Sequence, residues 1–140
     1  MQPQNLDAEQ MVLGAVLTEN DAIDKIIDII VPEDFYKDAH RTIYTTMLAM
    51  HDSRDAIDLI TLPDKLLMAG ALEKVGGAFY LAQLASLAPT AANIQHHARI
   101  VREKAVYRRG IHAAQEIIGA GYEEKLPSED FLDLAERKIF

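Results

Sequence analysis

Apolar residues along this chain recur at steps of three and four, not two, and the repeat restarts after breaks that carry proline, glycine or short polar runs. Asp7-Ala8-Glu9-Gln10 reads as an N-cap with an amide three residues later, ahead of Met11, Val12, Val16 and Leu17. That predicts a first helix ending near Thr18. Asn20 stands where it would cap a second helix, in which Ile23, Ile26, Ile27 and Ile30 face a core until Pro32 stops it. Pro32-Glu33-Asp34-Phe35-Tyr36 reads as a single helical turn. Asp38 then caps a third helix with Ile43, Met47 and Met50 on one face and Tyr44 and Leu48 beside it, the expected hub of a compact head. Thr61-Leu62-Pro63-Asp64 has the form of a capping box with proline in the first turn, opening a helix from Leu62 to Ala69 that Gly70 closes. Gly76-Gly77 loosens the next connection before Tyr80, Leu81, Leu84 and Ala85 resume the helical period up to Leu87. The head, residues 1–90, is expected to bury Ile26, Ile30, Phe35, Ile43, Met47, Tyr80 and Leu84.

Residues 91–140 carry a different pattern. After Ala88-Pro89, Thr90 and Asn93 offer capping oxygens, and no proline follows until Pro127. A helix of about thirty residues would be roughly 40 Å long and must project beyond a small head. Ile94, Ala98, Val101 and Ala105 form one apolar stripe on it, and Ile100, Tyr107, Ile111, Ala114 and Ile118 form another. A second helix opens at Pro127-Ser128 with Glu129 and Asp130 in its first turn and carries Phe131, Leu134, Ala135 and Ile139, enough to cover one stripe. The other stripe calls for a partner. Ile100, Tyr107, Ile111, Ala114 and Ile118, with Phe131 and Leu134 across the hairpin, are the candidate interface. The fold class is therefore all-α, a small multi-helix globular head followed by a long antiparallel helical hairpin.

Composition narrows the function more than the fold. No apolar run approaches the ~20 residues a membrane-spanning helix needs, and cysteine is absent. The polar start Met1-Gln2-Pro3-Gln4-Asn5 does not resemble a signal peptide, so a cytoplasmic protein is the default expectation. Net charge −8 argues against a domain that grips nucleic acid by itself, because phosphate neutralisation needs clustered Lys and Arg. The charge is uneven: acidic residues dominate before Lys37, whereas Arg99, Arg102, Lys104, Arg108 and Arg109 cluster on the long helix. Such a run reads as a solvated helix face.

Sites for chemistry are sparse. No G-x-x-x-x-G-K-[ST] loop surrounds Gly70, Gly76 or Gly77, so nucleotide hydrolysis is not expected of this segment. Asp52, Asp55 and Asp58 read as turn and cap residues, since Arg54 and Pro63 stand where calcium ligands would fall. His96 and His97 are adjacent and point about 100° apart on a helix, so they cannot share a metal without further ligands. His40 among Tyr36 and Tyr44 reads as a packed histidine with satisfied N–H, since no nucleophile or paired carboxylate is placed to use it.

One ordered set of residues goes further. Ala8-Glu9…Leu13-Gly14, Pro32-Glu33-Asp34-Phe35-Tyr36, His40-Arg41…Ile43-Tyr44, Asp58…Thr61, Gly70…Leu72-Glu73, Gly76-Gly77, Tyr80-Leu81 and Asn93 together resemble the N-terminal domain of bacterial replicative DNA helicases of the DnaB type. The resemblance runs over essentially the whole chain. It implies a helical head and hairpin followed by a linker helix and an ATPase motor that are absent here, with ATP and Mg confined to that motor and no cofactor in this segment. It also implies dimers through the hairpin, a trimer of dimers in the parent hexamer, and docking of the primase C-terminal helicase-binding domain, with a helicase loader as a further partner. Direct nucleic-acid binding by this segment would be weak or absent. The alternative is a free-standing helical nucleic-acid-binding or regulatory module using the face from Arg99 to Arg109. Two positions depart from the family pattern: His97 replaces an aromatic, and Gly110 a large aliphatic.

Overall fold

A computed structural model describes all 140 residues: six α-helices joined by turns and two short 3₁₀ segments, with no strand. Helix α1 spans Leu6–Thr18, α2 Asp38–Asp52, α3 Thr61–Met68, α4 Gly77–Leu87, α5 Ile94–Glu123 and α6 Ser128–Ile139.

The hub is α1, not α2 as expected. Ala8, Val12, Leu13, Ala15, Val16 and Leu17 are all buried, because α1 packs on α4, α5 and α2 together. Its small residues let the neighbours close in: a Cβ built on Gly14 would lie 2.0 Å from the backbone oxygen of Leu84, so α4 touches α1 main chain to main chain. Thr18 Oγ1 donates to the Ala88 carbonyl at 2.7 Å and closes the far end of that contact.

Several local expectations are replaced by other solutions. Asn5, not Asp7, caps α1, its Oδ1 accepting from Ala8 N at 2.9 Å. The isoleucine segment forms a 3₁₀ stretch, Asn20–Lys25, followed by turns, with Ile23, Ile26 and Ile30 buried and Ile27 half-buried. β-Branched residues and aspartates are modest helix formers, so packing decides the backbone there. Asn20 does not cap; its amide bonds both the N–H and the carbonyl of Ile57 and so pins the loop after α2. Asp38 lies in the first turn of α2 after Lys37 and pairs with Arg41 at 3.1 Å. For α3 the cap is Asp58, whose Oδ1 accepts from Ile60 N and Thr61 N, each at 2.8 Å, holding its carboxyl below the usual range. Gly70, at φ +70°, then permits the bond from Ala71 N to Leu66 O at 2.8 Å that ends α3. Ahead of α5, Thr90 Oγ1 accepts from Ala92 N at 3.2 Å, while the Asn93 side chain makes no cap.

The thirty residues of α5 make a rod of about 45 Å. Ile94, Ala98, Val101 and Ala105 are buried against the head, and the one continuous core includes Ala91, Ile94, Ala98 and Val101, so it extends past residue 90. Beyond Ala105 no residue of α5 is fully buried. The head, not α6, covers the first stripe. α6 packs on a different face of α5: Phe131 shares cavities with Ile117 and Ala120, and its ring sits over Gly121, where a Cβ would meet Phe131 Cζ at 3.2 Å. A salt bridge from Lys138 to Glu116 ties the end of α6 back to α5, and its hydrogen bond holds the Glu116 carboxyl below the usual range.

Candidate partner interface

With α1 on one face of α5 and α6 on another, a third remains open. Tyr107 is 54% exposed, Ile111 39% and Ile118 58%, with Ala114 exposed between them and Tyr122 continuing the row. Spacings of four and three keep these residues on one side of the rod. Where the row reaches the hairpin tip, a groove of about 570 Å³ opens between Ile117, Ile118, Gly121, Tyr122 and Phe131. The seven residues singled out from sequence are therefore not one surface. Ile100 is half-buried against the head core, and Phe131 and Leu134 are half-buried on α6. Of the seven, only Tyr107, Ile111, Ala114 and Ile118 are exposed together.

The structure also exposes large apolar side chains that the sequence pattern does not single out. Ile60, Leu67, Met68 and Phe79 are 63–81% exposed on and beside α3 and α4. Leu67 and Met68 fall within a helical apolar run, and nothing local distinguishes their side of α3 from the buried one that carries Leu62 and Leu66.

Two polar networks hold the head and fix how the rod leaves it. Buried Glu9 accepts from Tyr36 N at 2.7 Å and from Lys37 N at 3.4 Å, and it receives His40 Nδ1–H at 2.7 Å. On its other side His40 Nε2 stands 2.6 Å from the Tyr80 hydroxyl, and Gln10 Nε2 donates to that same oxygen at 3.2 Å. His40 lies between Phe35, edge-on at 6.2 Å, and Tyr80, stacked at 6.0 Å. The aromatics around it are thus Phe35 and Tyr80, not Tyr36 and Tyr44. Both imidazole nitrogens are engaged and the ring is wholly buried, so this network joins α1, α2 and α4 and leaves neither nitrogen open to a ligand. Among the expected head residues, Ile26, Ile30, Phe35, Ile43, Met47 and Leu84 are buried, while Tyr80 sits half-buried at the rim with its hydroxyl in this network.

The second network centres on buried Asp34. Its Oδ2 accepts from Val31 N at 3.0 Å, and its Oδ1 takes Arg102 at 3.4 Å together with Arg109. Arg108 donates to the Asp34 carbonyl at 2.6 Å and to the Pro3 carbonyl at 2.8 Å, with the Tyr36 ring 5.4 Å beneath it. The basic run of α5 is therefore not a solvated face: three of its five cations fold back on the head. No three His, Cys, Asp or Glu side chains gather as metal ligands, and no helix is long and apolar enough to cross a membrane.

A family model described as the DnaB-like helicase N-terminal domain matches residues 1–103. The chain belongs to that family. It is 44% identical over 137 residues to the replicative DNA helicase DnaB of Geobacillus stearothermophilus, a match covering 98% of this chain and 30% of the relative. The replicative DNA helicase DnaC of Bacillus subtilis is 42% identical over the same share of each. The chain thus spans about a third of the length of these curated relatives. The crystal structure of the N-terminal domain of DnaB helicase from Mycobacterium tuberculosis superposes with a TM-score of 0.96 at 38% identity, over 99% of this chain and 98% of that one. A structure of a DnaB-like replicative helicase and its interactions with primase matches with a TM-score of 0.77 at 27% identity, over 96% of this chain and 31% of that one. All-α architecture and membership in the helicase N-terminal domain family are thereby shown together.

Proposed function

We propose that this chain is the assembly and docking domain of a hexameric replicative helicase. Hairpins of neighbouring subunits pair through Tyr107, Ile111, Ala114 and Ile118, dimers assemble as a trimer of dimers, and primase docks on the resulting collar through its C-terminal helicase-binding domain. ATP and Mg belong to a motor in the part of the relatives that this chain does not span. The carrying observation is the uncovered apolar row on a rod that neither the head nor α6 covers. Apolar surface arranged on a rigid projecting element gains from burial against a matching row. Net charge −8, with Arg102 and Arg109 paired to Asp34, favours a protein partner over the extended backbone of a nucleic acid.

The test is Ile111→Asp, which puts an unpaired charge into the pairing row at a cost of about 2–4 kcal/mol of association. Sedimentation should show loss of self-association, with circular dichroism unchanged because Ile111 is outside the core. An unchanged dimer, or an unfolded product, would remove this row as the pairing surface. Titrations at near-physiological ionic strength should show the primase domain binding the wild type more tightly than a single-stranded oligonucleotide does. The reverse order, in the full-length protein as well, would favour the nucleic-acid module.

A further inference from the structure

The strongest concentration of positive charge in this acidic chain lies where the rod leaves the head. A cavity of about 220 Å³ there is lined by Arg41 from α2, Arg108, Arg109 and His112 from α5, and Gln2 and Glu33. Three of the chain's seven arginines thus meet at one cavity in a protein of net charge −8. Their charge is only partly neutralised. Arg109 pairs through Nη2 with Asp34, and Arg108 spends Nη1 and Nη2 on main-chain carbonyls, which carry no net charge. Arg41 spends Nε on the Phe35 carbonyl at 2.6 Å and Nη1 on Asp38, whose side chain is 94% exposed. Glu33, the one carboxylate on the lining, makes no salt bridge to any of them. The arginines also feel one another: burial first, then the neighbouring charges of Arg41 and Arg109, pull Arg108 below the ordinary guanidinium value against the opposing pull of Glu9 and Asp34.

We infer that this head–rod junction is a binding site for a small phosphoryl oxyanion, inorganic phosphate or the diphosphate group of a nucleotide. Gathering like charges costs energy that a bound anion returns, and guanidinium forks match phosphoryl oxygens two at a time where lysines would offer only point charges. The side chains of Arg41 and Arg109 are 44% and 47% exposed, so the cavity is reached from water. Its volume admits one or two phosphoryl groups and excludes a duplex. Because Arg41 belongs to α2 and the other two arginines to α5, an anion held between them braces the rod against the head. A ligand here would stiffen the direction in which the hairpin projects, at the turns of α5 that also carry Tyr107 and Ile111.

Calorimetry with the whole chain at constant ionic strength would titrate phosphate, pyrophosphate and ADP, with chloride as the control anion. The expectation is saturable one-site binding, with pyrophosphate tighter than phosphate and ADP equal to pyrophosphate if only the diphosphate is recognised. Arg41→Gln should weaken pyrophosphate at least tenfold, since it removes one charged fork. Glu33→Gln should strengthen it severalfold by removing the opposing carboxylate, a change of opposite sign that a general loss of structure cannot produce. Absence of saturation up to roughly 10 mM, where binding would contribute under about 3 kcal/mol, would overturn the assignment. So would affinity indifferent to both substitutions. Tight binding of a single-stranded oligonucleotide that Arg41→Gln abolishes, without pyrophosphate binding, would reassign these arginines to a nucleic-acid backbone and likewise overturn it.

Discussion

Single residues in the head divide between groups whose polar capacity is filled and one that is not. Glu9 is buried and receives three donors, so truncating it strands Tyr36 N, Lys37 N and the His40 ring together. Glu9→Ala should cost about 2–4 kcal/mol, read from urea melts of the head. Tyr44 is the opposite case. Its hydroxyl is buried without a partner, and burial, reinforced by the charge of Asp34, pushes its ionisation well above the ordinary phenol value of 10.0. Tyr44→Phe should therefore be neutral or stabilise by up to about 1 kcal/mol. The sign with pH follows from the raised value: the unfolded phenol releases its proton first, so Tyr44 weakens the fold as pH climbs past 10 and leaves it unaffected below. A widening stability gap between Tyr44→Phe and wild type above that pH, in melts across the alkaline range, is the expected result. Equal slopes would show the phenol to be solvated.

At the scale of elements, two glycines inside helices carry opposite meanings. Gly14 stands where α1 meets the α4 backbone, and the 2.0 Å approach of a Cβ to Leu84 O cannot be relieved by a rotamer change, because the obstructing atom is main chain. Gly14→Ala should cost about 3 kcal/mol or more by prying α4 away. Gly110 has nothing within 4 Å of its would-be Cβ, and α5 runs through it unbroken. Gly110→Ala should stabilise by about 0.5–1 kcal/mol through backbone entropy alone. Thermal melts of the pair decide: equal effects would mean the α1–α4 contact is looser than its geometry. In the sequence Gly14 stands only as part of a motif and Gly110 only as a departure from the family pattern, since a one-dimensional pattern does not say which glycine has a neighbour.

For the whole molecule the deciding feature is a rod supported along only half its length. Residues 94–105 of α5 pack against the head and Arg108 and Arg109 still bond to it, whereas residues 110–123 lean on α6 alone. Amide exchange of dilute protein should be slow over the first half and faster over the second, and the second half should gain protection as concentration drives pairing. Uniform protection at all concentrations would mean the hairpin is stable unaided. The helices, their order and the long rod were legible from sequence because periods of 3.6 residues and the Pro and Gly breaks are local signals; every α-helix was anticipated within a few residues, and the one expected helix that does not form is the isoleucine segment, which is 3₁₀ and turns. The first stripe of α5 was legible too, as a spacing. What covers it was not: α1, some eighty positions earlier in the chain, does so, and the sequence pattern is identical whether the cover is the head or α6. The same holds for charge. Arg102, Arg108 and Arg109 read locally as a solvated run, and only the fold sets buried Asp34 beside them and Arg41 across a shared cavity. Periodicity states which residues share a face; which faces meet, and which charges are thereby neutralised or left facing one another, depends on contacts between distant segments that form only when the chain closes on itself.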